Sequence, residues 1–178
     1  MQHVNVKIFA NQSDIALVDA IPVFHRWIQE SKTPETLIDV ADYKHVPDGP
    51  GIMLIGYEAD YSLDETDGRL GLLYNRKAAF DGDPQAALKQ AYDSALRATK
   101  ELESTPVFAG KLAFDPNEVE VILNDRLLAP NTDETWESLR PEFERFFSGI
   151  YGPSGFTLER RGEPRDRVRA GARRKLDA

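Results

Sequence analysis

Two apolar runs, 51–63 (GIMLIGYEADYSL) and 69–77 (RLGLLYNRK), are separated by only five residues, 64–68 (DETDG). Five residues cannot carry a chain back along the length of a strand, so the runs can pair only as an antiparallel hairpin. Parallel pairing would need a crossover of about a dozen residues or more. Gly68 closes the loop, where a positive φ costs a glycine nothing. An antiparallel hairpin at mid-chain is therefore the fixed point around which the other elements must be arranged.

Periodicity supplies those elements. Val4, Val6 and Ile8 alternate with Asn5 and Lys7, which predicts a half-buried strand over 4–10. Ile21, Phe24 and Ile28 recur at helical spacing behind Asp19 as cap and Pro22 in the first turn, predicting a helix over 20–31. Segment 36–46 reads as a second strand, closed by the turn PDGPG, and the two hairpin runs as a third and a fourth. Asp83 as cap and Pro84 at the first helical position open a helix to 104 whose inward stripe includes Leu88, Ala91, Ala95 and Leu102. Segments 106–114 and 118–125 read as two strands around the turn DPNE.

A helix over 131–150 follows, with Trp136, Phe143, Phe146 and Phe147 on one side. Pro141 lies inside it, where a proline costs about 3 kcal/mol and favours a kink or a break near Arg140. Segment 155–161 is the last strand. The order β-α-β-β-β-α-β-β-α-β predicts an α+β two-layer sandwich, a mostly antiparallel sheet with three helices on one face. Residues 1–159 form the predicted domain and 160–178 an arginine-rich C-terminal tail.

Composition narrows function by exclusion. The chain has 178 residues, no cysteine and a formal charge of −8. Disulfides, thiolate metal sites and a cysteine nucleophile are excluded, and a reducing cytoplasm is the expected location. No apolar run is long enough to span a membrane. The tail carries eight basic and three acidic residues, +5, which leaves −13 for the rest. So acidic a body does not suit general nucleic-acid binding, which positive charge dominates.

No motif names a chemistry. PDGPG lacks the lysine and the strand-before, helix-after context of a phosphate loop. DETDG lacks the alternating oxygen ligands of a calcium loop. His3, His25 and His45 show no zinc-ligand pairing, and Ser154 lacks the nucleophile-elbow spacing. Nothing calls for a metal or a cofactor.

What remains is a set of candidate ligand-binding side chains. Glu58 and Asp60 end the acidic half of the third strand and suit pairing with Arg69 or Lys77, or one wall of a cleft. His45, at a strand end, is the best-placed proton carrier. Arg76 and Arg126 each follow an apolar strand end, preceded by Asn75 in one case and by Asn124 and Asp125 in the other. Their segments align at an offset of 50 residues, Leu73 on Leu123, Arg76 on Arg126 and Asp83 on Asp133. Guanidinium forks take carboxylates and phosphates in two-point fashion, so convergence of the two arginines at one sheet end would suit an anion. The plainer alternative is that each ties down its own loop.

The leading expectation is a non-catalytic binding or interaction module for an anionic small molecule or a protein partner. The competing one is a small cytoplasmic enzyme acting on an anionic metabolite by acid-base chemistry, with Arg76 and Arg126 holding substrate and His45 or Glu58 moving a proton. Homo-oligomerisation through the hairpin edge or the tail is a third.

Overall fold

The middle of the chain contains one more reversal than its periodicity announces. In the computed structural model, which describes residues 3–175, the run 51–63 divides into β3 (Ile52–Gly56) and β4 (Ala59–Asp64), joined by Tyr57 and Glu58 alone. Neither of those residues is the Asn, Asp or Gly that marks a two-residue hairpin. Gly56 makes the turn possible, because a Cβ there would lie 2.4 Å from the Ala59 carbonyl oxygen. The reversal resets the strand parity. Ile52 and Leu54 face the core before it; Ala59, Tyr61 and Leu63 do so after it.

The remaining elements are β1 (Val4–Ser13), α1 (Ala20–Glu30), β2 (Leu37–Asp42), β5 (Gly71–Arg76), α2 (Pro84–Ser104), β6 (Leu112–Leu123), α3 (Asp133–Tyr151), β7 (Phe156–Arg161) and β8 (Val168–Arg174). All eight strands join one antiparallel sheet in the order β2-β3-β4-β5-β1-β6-β8-β7. Together with the three helices this is the α+β sandwich that the pattern predicts.

Because every neighbour is antiparallel, β1 and β2 run parallel, as do β5 with β6 and β6 with β7. Each of these pairs is linked by one helix. The crossover from β1 proceeds toward one edge of the sheet, and those from β5 and β6 toward the other. β1 also points opposite to β5 and β6, so crossovers of one hand bring all three helices to the same face. There α1 packs on β2 and β3, α2 on β5, β1 and β6, and α3 on β7 and β8. Val6, Ile8, Leu72, Tyr74, Val119 and Val121 meet the Ala91 and Ala95 side of α2 in a continuous core. Asp83 caps α2 by accepting from the Ala86 N–H at 2.8 Å. Asp19 makes no such bond, because a 3-10 turn, Leu17–Asp19, leads into α1.

Three expectations are corrected. Segments 106–114 and 118–125 are not two strands: residues 105–111 form turns, and Leu112–Leu123 is one strand in which DPNE is absorbed as a bulge against β1. Pro141 does not break α3. Pro141 and Glu137, whose carbonyl loses its partner, are both solvent-exposed, so water can satisfy the freed group, while Phe143, Phe146 and Phe147 hold the next turn in the core. Lastly, 160–174 is not a tail. It completes β7 and forms β8, which is inserted between β6 and β7. Val168, Ala170 and Ala172 alternate inward, and that burial offsets the cost of fixing so polar a segment. Only 176–178 of the expected tail lie outside the described residues.

Candidate functional site

No helix covers the second face of the sheet. Its alternating positions would ordinarily be solvated, yet Lys7, Asp64, Glu118 and Glu120 stand there almost fully buried, Glu120 at 0% exposure. Register explains their meeting. Lys7 of β1 lies opposite Glu120 of β6, and Glu118 lies opposite Arg173 of β8. Arg169 lies opposite Arg161 of β7.

The side chains close over one another in ion pairs. Arg69 donates two parallel bonds to Glu118, at 2.8 and 2.9 Å, and Arg173 donates a third at 2.7 Å. Arg169 donates through Nε and Nη2 to Glu120, at 3.1 and 2.9 Å, and also reaches Asp67. Arg161 spans Glu118, Glu120 and Glu159. Lys7 donates to Asp64 and to the Thr66 carbonyl, which draws the β4–β5 turn down over this face. Gly171 leaves the room Arg161 needs: a Cβ there would sit 2.3 Å from Arg161 Nε. The Phe9 ring lies beneath, with the Arg69 guanidinium carbon 4.1 Å from its centroid and that of Arg161 at 5.7 Å.

Above these groups runs a shallow cleft of about 660 Å³, lined by Phe9, Arg69, Glu159, Arg161, Arg165 and Arg169 among others. Arg69 holds the Glu118 carboxyl down at about 2, with Arg173 reinforcing it. Arg169 likewise lowers Asp67. These carboxylates stay ionised at neutral pH, so they can pair with cations but do not trade protons there. The carboxylates form the inner layer and the guanidinium groups the outer: the Glu118 side chain is 6% exposed, that of Arg69 45% and that of Arg173 63%.

The residues singled out from sequence are distributed as follows. Arg76 and Arg126 leave the sheet at the same end, where β5 and β6 both finish beside the start of β1. Their partners differ. Arg76 turns to the helix side, donates to the Ala78 and Ala79 carbonyls of its own loop and to Gln90 of α2, and covers the Phe80 ring. Arg126 bonds to the Arg165 carbonyl in the β7–β8 loop. Asn124 accepts from Arg167 in that same loop. Asp60 pairs with Lys77 at 2.7 Å and accepts from Asn75. Glu58 accepts from the Thr36 N–H and hydroxyl, and the N–H bond is the main cause of its lowered pKa. His45 lies exposed in the β2–β3 loop, at the opposite end of the sheet from Arg76 and Arg126.

The sequence left Lys7, Glu118 and Glu120 unmarked as site residues, with Asp64 marked only as one charge of its hairpin and Arg161, Arg169 and Arg173 only as part of the arginine-rich tail. A signal for four of them is present in retrospect. EVEV in β6 and VRAGAR in β8 each alternate charge with small apolar residues, and their charges are opposite.

Among the described residues no group of His, Asp or Glu is arranged to hold a metal ion, and no helix is long and apolar enough to cross a membrane. No protein family, curated protein or solved structure matches the chain.

Proposed function

We propose that the chain is a non-catalytic interaction module of the cytoplasm whose open sheet face docks an acidic segment of a protein partner. The observation that carries this reading is the layering of that face. Glu118 and Glu120 lie beneath Arg69, Arg161, Arg169 and Arg173 and hold the guanidinium groups in fixed places, with Arg69 and Arg173 the most open to solvent. A guanidinium with one edge committed to a buried carboxylate retains N–H donors for another, and preorganisation lowers the entropy lost on docking. The ionisation of Glu118 at neutral pH supports binding over acid-base chemistry. The separation of His45 from Arg76 and Arg126 also weighs against the enzyme reading, leaving Glu58, which is bonded to Thr36, as its proton carrier.

The test is affinity capture with the wild-type chain and with Arg165→Glu/Arg173→Glu as baits, both exposed positions, after thermal melting shows equal folding. A partner retained by the wild type, lost by the variant and released by about 0.5 M salt is the expected outcome. Identical proteins on both baits would refute the reading.

A further inference from the structure

A second cavity, of about 390 Å³, opens on the other side of the sheet between α1 and α2. Trp27, Pro34, Tyr61 and Ala98 give it apolar walls, while Lys32, Arg97 and Lys100 stand among its lining groups. Lys32 is engaged, pairing with Glu101 at 2.8 Å. Arg97 bonds only to the Ser94 hydroxyl, at 3.1 Å, and neither it nor Lys100 has a carboxylate partner among the described residues. In a chain of net charge −8, two cations left unpaired beside an apolar-walled cavity are the groups an anion would meet there.

The cavity is also backed by a directed hydrogen-bond chain. Ser94, 1% exposed, accepts from Arg97 and from Gln90 Nε2, the latter at 3.1 Å. With both of those bonds incoming, the Ser94 proton is left for the Tyr61 oxygen or an occupant. Tyr61 donates to Glu35 at 2.7 Å, and Tyr74 donates to the other oxygen of Glu35 at 3.1 Å. Glu35 is buried, with no cation within ion-pair distance among the described residues. It therefore takes both tyrosine protons, which leaves the Ser94 hydroxyl, shared with the Tyr61 oxygen, as the donor at the cavity wall. Cations at the rim, a buried donor at the wall and aromatic surface around them suit one class of occupant, which carries negative charge at one end and an apolar body at the other.

We infer that the α1–α2 cavity binds a small organic anion with an apolar body, an aryl carboxylate or an aryl phosphate ester. Arg97 and Lys100 hold the charged group, Ser94 donates to it, and Trp27 packs against the body. This site is independent of the open-face docking surface and shares no residue with it.

Benzoate, phenyl phosphate and uncharged benzamide are titrated into the full chain and followed by amide chemical shifts. Saturable shifts at Ser94 and Arg97, half-complete near ~1 mM or below for one of the anions, with benzamide silent, are the expected result. Which anion binds tells carboxylate from phosphate recognition. Arg97→Gln and Lys100→Gln, both at exposed positions, should each weaken that anion about tenfold, and Ser94→Ala should weaken it while Arg97 remains in place. The absence of saturable shifts with either anion, or affinity unchanged in both charge variants, would overturn the site. Neither outcome bears on partner capture by the open face.

Discussion

Glu118→Gln removes one buried negative charge and keeps the shape of the side chain, which makes it the most direct probe of the open face. Arg69 and Arg173 hold the Glu118 carboxyl at about 2, against an ordinary value of 4.5. Taken whole, that difference corresponds to about 3 kcal/mol. Arg69 and Arg173 are 45% and 63% exposed, and solvent screening of partly exposed pairs reduces the contribution to roughly 1–2 kcal/mol. A carboxyl whose folded pKa is depressed stabilises the fold above its unfolded pKa, and that stabilisation is lost as pH falls through the folded value. The contribution of Glu118 is thus complete above about pH 5.5, roughly two-fifths gone by pH 3.5 and absent below about pH 2. Urea unfolding at pH 7 and at pH 3.5, on wild type and variant, measures it. The variant should be less stable by roughly 1–2 kcal/mol at pH 7, and the gap should narrow at pH 3.5. Equal stability at pH 7, or a gap as wide at pH 3.5, would refute the claim that ionised Glu118 is held by its arginines.

Two further substitutions examine the helix side. Glu35→Gln keeps one acceptor for the Tyr61 and Tyr74 hydroxyls and deprives the other hydroxyl of its partner. It should cost about 1–2 kcal/mol and lower the melting temperature by about 2–8 °C; an unchanged melting temperature would show that neither hydroxyl depends on the carboxylate. Pro141→Ala restores an N–H to the exposed side of α3 and should stabilise the chain by about 1–3 kcal/mol; a loss of stability in urea would mean that the proline geometry is needed to seat Phe143.

Where the chemistry was local, the residues announced it. Asp83 and Pro84 start α2, the Val4, Val6 and Ile8 alternation makes β1, and the five-residue loop at 64–68 demands an antiparallel pair. The Tyr57–Glu58 reversal was hidden because its two residues carry no turn chemistry and Gly56 provides the clearance instead. The open face was hidden for a longer-range reason. Glu118 and Glu120 are 41 or more residues from Arg69, Arg161, Arg169 and Arg173 in sequence, and a charge shows no sign of its partner until register aligns the strands. The pairing of Asp60 with Lys77 was legible because one hairpin brings them together.

The sequence by itself determined the class of fold, since alternation, capping and short loops act over a few residues and leave an antiparallel sheet under three amphipathic helices. Tertiary structure alone decided that the arginine-rich segment at 160–174 ends the edge strand β7 and forms the interior strand β8. Inserting β8 between β6 and β7 buries Val168, Ala170 and Ala172 on one side and sets Arg169 and Arg173 over Glu120 and Glu118 on the other. Apolar burial and charge pairing together outweigh the solvation that would keep such a segment in water, and both depend on neighbours that only the folded chain supplies.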